Sequence, residues 1–420
     1  MDIVELADRL WRGEDPTQHA QPLGPTLPVA EITDGVVFLA NFANCTALDT
    51  DEGLVMVDTG SIITAANVHK EIRSWSPKPL HSAIFSHGHV DHVFGVGPFD
   101  EEATEREWPR PRVVAHEHLP RRFERYILTA GYNQVINRRQ FAVANLIWPT
   151  EYRFPDETYA VEHAMTVCDV AIELRHEKGE TDDATVTWFP EQRVLCSGDL
   201  FIWNSPNAGN PQKVQRYPLE WAHALRRMDA LNAEYLLPGH GLPIFGVARI
   251  HQALSETAEY LESLVEQTLA MMNDGARLSD TISSVRAPMH LSDRPYLQPF
   301  YDEPEFIVRN IWRLYGGWWD GNPANLRPAN DRVLAAELAE LSGGATTLAA
   351  RAEELLEEGS DEALRLAGHL AELAWLATPE DLGVQGVRQR VFSALARAAT
   401  STMSRGVFRW AERETTGEQY

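Results

Sequence analysis

Apolar residues alternate or run unbroken over residues 36–40, 46–48 and 54–57, around the polar turn Asp49-Thr50-Asp51-Glu52-Gly53, and this pattern predicts antiparallel strands. After Ser61 the spacing changes to that of a helix, with Ala66, Val68 and Ile72 on one side up to Trp75. The apolar run Ala83-Ile84-Phe85 then predicts a strand that ends at Ser86. Residues 112–115 read as a further strand and 117–128 as an amphipathic helix. In residues 130–141, Gly131 reads as a helix break. The amides and the paired Arg138 and Arg139 fit either a charged helix end or a substrate-facing loop. Strand patterns return at 170–174, 184–189 and 193–196, followed by a helix near 219–231 and a short strand at 235–237. Strands and crossover helices in this order predict an α/β fold, two packed sheets with helices outside.

Beyond Gly246 the strand pattern stops. Leu254, Leu261, Val265, Leu269 and Met272 keep helical spacing up to Gly275, which reads as a C-terminal cap. Residues 288–328 read as a proline- and aromatic-rich connection, and leucine- and alanine-rich helices are expected over 331–403. Thr378-Pro379-Glu380-Asp381 reads as a helix start, with Thr378 as the capping hydroxyl. A chain of 420 residues exceeds one ordinary core. The pattern divides it into an N-terminal extension (1–25), an α/β domain (26–246) and a mainly α-helical domain (247–420).

Composition narrows the partners. The formal charge of −24 argues against nucleic acid or an anionic membrane held by a general field, so an anionic substrate must be gripped by local charge. Cys45, Cys168 and Cys196 are few, odd in number and widely spaced, which fits free thiols in a reducing compartment. Residues 1–24 lack the apolar core of a signal peptide, and no run approaches the ~20 apolar residues of a membrane span. The expected location is the cytoplasm.

The chemistry concentrates in Ser86-His87-Gly88-His89-Val90-Asp91-His92. A strand that ends in His-x-His-x-Asp-His delivers three imidazoles and a carboxylate within a short loop, the ligand set of borderline divalent metals. Asp58, Glu180, Asp199 and His240 also stand just after apolar strands or in loops entering them, and such positions can converge along one edge of a sandwich. His176, four residues before Glu180, is a rival ligand. His116, His118, His163 and His369 read as structural or solvated.

Five stretches resemble the motifs of the metallo-β-lactamase superfamily: Asp58-Thr59-Gly60, His87-x-His89-x-Asp91-His92, Gly179-Glu180-Thr181, Ser197-Gly198-Asp199 and Pro238-Gly239-His240-Gly241. Most members carry histidine where Glu180 stands. The branch that hydrolyses alkyl sulfates is similar to this chain in having glutamate there. Tyr315-Gly316-Gly317-Trp318-Trp319-Asp320-Gly321-Asn322-Pro323 and Ala367-Gly368-His369-Leu370-Ala371-Glu372-Leu373-Ala374 resemble that branch's dimerisation domain. Its frequent terminal sterol-carrier-like domain is expected to be absent.

The resemblance implies an αββα sandwich followed by helices, acting as a homodimer on a small anionic ester without nucleic acid. It implies two divalent ions, zinc foremost with manganese or iron as alternatives. One would take His87, His89 and Glu180, the other Asp91, His92 and His240, with Asp199 bridging and Asp91 also assigned to catalysis. The implied reaction is hydrolysis of alkyl or aryl sulfate esters by a metal-bridging hydroxide. A phosphodiester, thioester, lactone or β-lactam is the alternative substrate. A di-iron redox site is disfavoured, because His89 stands where such proteins usually place glutamate. Two ions bring about four positive charges, and Asp91, Glu180 and Asp199 return three. A cation must therefore hold the ester: Arg216 or Lys213 is expected to clamp it, with Tyr132, Asn133 and Arg138 in the loop similar to those enzymes' arginine-rich motif.

Overall fold

The computed structural model describes residues 2–14 and 29–417. Two sheets form the first part of the chain. In the first sheet, β1 (Ala30–Thr33), β2 (Val36–Leu39), β3 (Cys45–Thr50), β4 (Gly53–Val57), β5 (Leu80–Ile84), β6 (Arg112–His116) and β7 (Glu157–Tyr159) lie side by side in sequence order. Pairing is antiparallel from β1 to β4 and parallel from β4 to β7. The second sheet runs β13-β12-β11-β10-β9-β8, with β8 (Glu162–Val167), β9 (Val170–Glu177), β10 (Ala184–Phe189), β11 (Val194–Ile202), β12 (Tyr235–His240) and β13 (Ile244–Phe245); only β11 and β12 are parallel.

Period-two alternation explains the layering. Val37, Leu39, Ala47, Leu54, Met56 and Ala83 pack with Val68 and Ile72 of helix Ala65–Trp75 and with Leu119 and Phe123 of helix Leu119–Leu128. The alternate residues Val36, Phe38, Leu48, Val55 and Ile84 are equally buried on the opposite face, which can only be toward the second sheet. Thr185 of β10 donates its N–H to Ser86 O (2.6 Å), and Tyr159 of β7 donates its hydroxyl to Thr185 Oγ1 (2.8 Å), joining the two layers. The expected αββα sandwich is thus present, and a helical region follows it.

Parallel pairing decides where the site lies. Val57 pairs with Ile84, so Asp58 and the loop after β5 leave the sheet side by side. Gly198 pairs with Pro238 and Ile202 with His240, which brings Asp199 beside His240. Glycines permit the approach: a Cβ at Gly198 would stand 2.7 Å from Ser86 Cβ, and one at Gly239 would stand 2.2 Å from Asp199 Oδ1.

The described chain packs as two units, the first comprising Met1–Ala130, Pro149–Ala276 and Asp280–Gly317, the second Gly131–Trp148, Arg277–Ser279 and Trp318–Tyr420. Packing therefore does not divide at Gly246, because helix Val247–Asn273 buries Ile250, Leu254, Leu261 and Leu264 within the first unit. Part of the expected extension is also structured: Asp2 caps helix Ile3–Trp11, whose Trp11 stacks on Tyr296 at 5.4 Å. Residues 15–25 of that extension lie outside the described residues.

Three sequence expectations shift. Residues 288–328 contain helix Pro304–Gly316, which buries Ile307, Val308, Ile311 and Trp312. The break expected at Gly131 falls at Thr129, the cap of the preceding helix, and Ala130–Phe141 is continuous. The cap of helix Leu382–Ala398 is Asp381, whose Oδ1 accepts from Gly383 and Val384 N–H. Thr378 instead ends the helix before, donating N–H and hydroxyl to Ala374 O.

In the second unit, alanines pack the helices closely: Ala363, Ala367, Ala371 and Ala374 line one stripe of Asp361–Ala377 against Ala349 and Ala352 of Ala345–Glu358. Arg388 is buried there, donating to Glu372, Glu414, Ala411 O and Thr415 Oγ1, with its guanidinium 3.9 Å from the Trp375 ring centre.

Candidate metal centre

Six of the seven expected ligands meet in two triplets, His87 with His89 and Asp199, and Asp91 with His92 and His240. Asp199 lies between them. Its Oδ2 is 3.6 Å from His87 Nε2 and 3.4 Å from His240 Nε2, and its Oδ1 is 3.4 Å from His92 Nε2. Asp91 Oδ2 is 3.6 Å from His92 Nε2 and 3.3 Å from His240 Nε2. Donors held about 2.0–2.1 Å from one ion stand about 3.4 Å apart at the corners of a tetrahedron, so these separations fit divalent ions, while His87 Nε2 and His89 Nδ1, 2.7 Å apart, would have to open to share one.

Unpaired atoms support the same fit. His92 Nε2, Asp199 Oδ1 and Glu180 Oε2 are buried and have no hydrogen-bond partner among the described residues. A buried acceptor left this way costs about 1–3 kcal/mol, a penalty that a bound cation removes.

The outer nitrogens of three imidazoles are fixed. His92 Nδ1–H donates to Asp58 Oδ2 (2.8 Å), and His240 Nδ1–H donates to Phe42 O (2.6 Å). Ser86 Oγ donates to Asp58 Oδ2 (2.7 Å) and lies 2.9 Å from His87 Nδ1, which donates to it. Each Nε2 faces the centre, that of His87 also lying 2.7 Å from His89 Nδ1, and outer partners of this kind orient metal-binding histidines. Asp58, at φ +57°, also accepts from Ser86 N–H (2.8 Å).

Burial, with His92 adding to it, pulls His87 down to about 4. Burial would raise Asp199, but His240, His92 and His87 hold its carboxyl well below the usual range. Burial would lower His240, yet Asp199 and Asp91 lift it to about 10. The centre is thus a set of opposed charges packed away from water.

Glu180, the seventh expected ligand, stands at the margin, with Oε1 3.9 Å from His89 Nδ1. That oxygen accepts from Arg216 Nη1 and from Asn207 Nδ2 (2.5 Å). Burial lifts the Glu180 carboxyl to about 7 against the pull of Arg216. Arg216, expected as an anion clamp, is therefore committed to a carboxylate. Lys213 lies where it feels Asp91 and Glu180, and burial together with Arg216 lowers its ammonium to about 7. His176 is elsewhere: its ring stacks on His116 at 3.6 Å and its Nε2–H donates to Asp182 O (3.0 Å).

Tyr132, Asn133 and Arg138 lie in helix Ala130–Phe141 within the second unit, whereas both triplets belong to the first. Tyr132 is exposed and Asn133 buried, while Arg138 Nε donates to Leu146 O (2.9 Å).

Three supporting residues were not singled out in the sequence. Asp183 accepts Gly88 N–H (3.0 Å) and Arg122 Nε–H (2.8 Å), fixing the loop between His87 and His89. Asn207 reaches Glu180, and Asn44 reaches the His240 turn. An acid directly before β10 was a signal for the first; nothing local marks the other two.

The loop that carries Asn207 and Arg216 is pinned at Asp302, whose Oδ2 accepts Gly209 N–H (2.5 Å). Burial raises the Asp302 carboxyl to about 7, although the N–H groups of Gly209 and Glu303 pull the other way. A folded value above the unfolded one, about 3.9, means that the folded chain holds this proton more tightly. The resulting stability is complete below about pH 4 and lost as pH rises toward 7. Asp302→Asn should therefore gain melting temperature relative to the parent between about pH 5 and pH 8. A difference that stays constant with pH would refute this.

Comparison with known proteins fits this geometry. The metallo-beta-lactamase superfamily model matches residues 39–240, and the alkyl sulfatase dimerisation model matches residues 278–418. A linear primary-alkylsulfatase of Pseudomonas sp. is 26% identical over 88% of this chain and 74% of its own length. An alkyl/aryl-sulfatase of Saccharomyces cerevisiae is 23% identical over 78% of this chain, which spans only 55% of that protein. The stereoselective inverting sec-alkylsulfatase Pisa1 from Pseudomonas sp. superposes with a TM-score of 0.82 at 21% identity, over 93% of this chain and 66% of its own. Sandwich, paired triplets and helical region together mean that this chain belongs to the metallo-β-lactamase superfamily, in its alkyl sulfatase branch.

Proposed function

We propose that the chain is a hydrolase of alkyl or aryl sulfate esters that depends on two divalent ions, zinc by preference for this imidazole and carboxylate donor set. The observation that carries the reading is the pair of ligand triplets meeting at Asp199, in a chain whose relatives are alkylsulfatases. His87, His89, Glu180 and Asp199 would hold one ion, and Asp91, His92, His240 and Asp199 the other. Bound there, the ions would polarise a sulfate oxygen and bring the pKa of a water to about 7.

The chain's own residues supply orientation and charge. Asp91, with 19% of its side chain exposed against 7% for Asp199, is the carboxylate placed to orient the attacking water. Arg216 neutralises Glu180, which lessens repulsion of an anionic ester. Lys213, near enough to feel Asp91 and Glu180, would act as the clamp. We further propose self-association through the helical unit and a cytoplasmic setting, which three free cysteines support. No described helix is long and apolar enough to cross a membrane.

The test is sulfate release from a panel of alkyl sulfates by metal-loaded protein, with phosphodiester, thioester, lactone and β-lactam substrates alongside. Hydrolysis of one of the latter with no sulfate released would sink the reading. In the same assay Lys213→Ala should raise KM about 10- to 100-fold with a smaller change in kcat, the loss of one charge-assisted contact. Arg216→Ala should instead lower the melting temperature, because it leaves Glu180 buried and uncompensated. If Lys213→Ala leaves KM unchanged and Arg216→Ala raises it without loss of stability, the two roles are exchanged.

A further inference from the structure

The loop between β2 and β3 grips the turn that carries His240. Asn44, buried, donates through Nδ2 to Pro238 O (2.9 Å) and Gly241 O (2.8 Å), and its backbone N–H donates to Gly239 O (2.8 Å). Three carbonyls around His240 thus end on one residue. The same side chain sets its neighbour: Asn44 Oδ1 accepts Asn41 N–H (3.1 Å), and Asn41 Oδ1 accepts Phe42 N–H (2.8 Å). Phe42 O in turn receives His240 Nδ1–H. From beneath, Trp203 occupies the space that a Cβ at Gly241 would need (2.4 Å) and donates Nε1–H to Leu242 O (2.6 Å). The turn is held on both sides, and Asn44 supplies the polar half of the grip.

The His87 and His89 side of the centre has separate supports, Ser86 and Asp58 for the His87 ring and Asp183 for Gly88. We infer that Asn44 is a positioning residue for the Asp91, His92 and His240 triplet, setting the affinity of that ion without setting the other. This rests on the reading that each triplet holds one divalent ion. An outer partner of a metal ligand typically changes affinity about 10- to 100-fold.

The experiment is a calorimetric titration of metal-free protein with Zn²⁺, with elemental analysis after dialysis, for the parent chain, Asn44→Ala and Asn44→Asp. Asn44→Asp keeps the volume and an acceptor but removes both donors. The parent should take up two equivalents. Both variants should bind one equivalent as the parent does and the other about 10- to 100-fold more weakly. Equal weakening of both equivalents, or of neither, overturns the assignment. So does a variant that stays unfolded by circular dichroism with and without metal, because Asn44 would then serve the fold alone. A parent chain that binds fewer than two equivalents overturns the binuclear reading itself and this inference with it.

Discussion

Asp199→Ala is expected to reduce bound metal from two equivalents to one or fewer, and kcat by about a thousand-fold or more, the scale on which loss of a nucleophile-activating group acts. The reason is its position. Asp199 faces His87, His92 and His240 at 3.4–3.6 Å, and without it the first triplet keeps only two imidazoles. The neighbouring imidazoles hold its carboxyl well below the usual range despite burial. Asp199→Asn separates charge from shape, keeping one acceptor oxygen in the same volume. It should lose nearly as much metal as the alanine variant. Elemental analysis and steady-state kinetics check both. Two retained equivalents with a tenth of the activity would place the bridging role elsewhere.

Asp58→Ala should be the most destabilising change at a position that is not itself a proposed ligand, and it should weaken both metal equivalents. One carboxylate accepts from Ser86 N–H, Ser86 Oγ–H and His92 Nδ1–H. Through Ser86 it also orients His87. Its loss strands buried donors, a cost of about 3–5 kcal/mol. That corresponds to a fall in melting temperature of about 5 °C or more. Because His92 and His87 serve different triplets, both equivalents should weaken about 10- to 100-fold, in contrast to the single equivalent that depends on Asn44. Melting curves of the metal-free protein and zinc titrations check the two halves separately. Loss of stability with unchanged affinities would make Asp58 a structural residue only.

The fold was legible where a buried face imposes a period. The strand expected at residues 184–189 is observed as Ala184–Phe189, and the helix expected near 219–231 as Pro218–Asp229. Helix Pro304–Gly316 carried the same kind of signal, a proline in its first turn with Ile307, Val308, Ile311 and Trp312 on one side, but it lay hidden among prolines and aromatics. Thr378 and Asp381 show the limit at boundaries: either can cap a helix, and the choice falls to Asp381 because Thr378 is still bonded to Ala374 of the helix before.

By itself the sequence determined the donor set, because a strand that stops at His87-x-His89-x-Asp91-His92 confines its ligands to one loop whatever surrounds it. It also determined that Asp58 and His240 stand at strand ends, whereas Asp199, expected just past a strand ending at residue 196, lies inside β11, which runs on to Ile202. Only the tertiary structure decided that parallel pairing of β4 with β5 and of β11 with β12 brings these residues together. It alone decided that Arg216 is taken up by Glu180 and that Asn44 holds the His240 turn from 194 residues away. Local periodicity records which face of an element is buried. It carries no record of which distant polar group meets it there, since that pairing is selected by the burial of both partners at once.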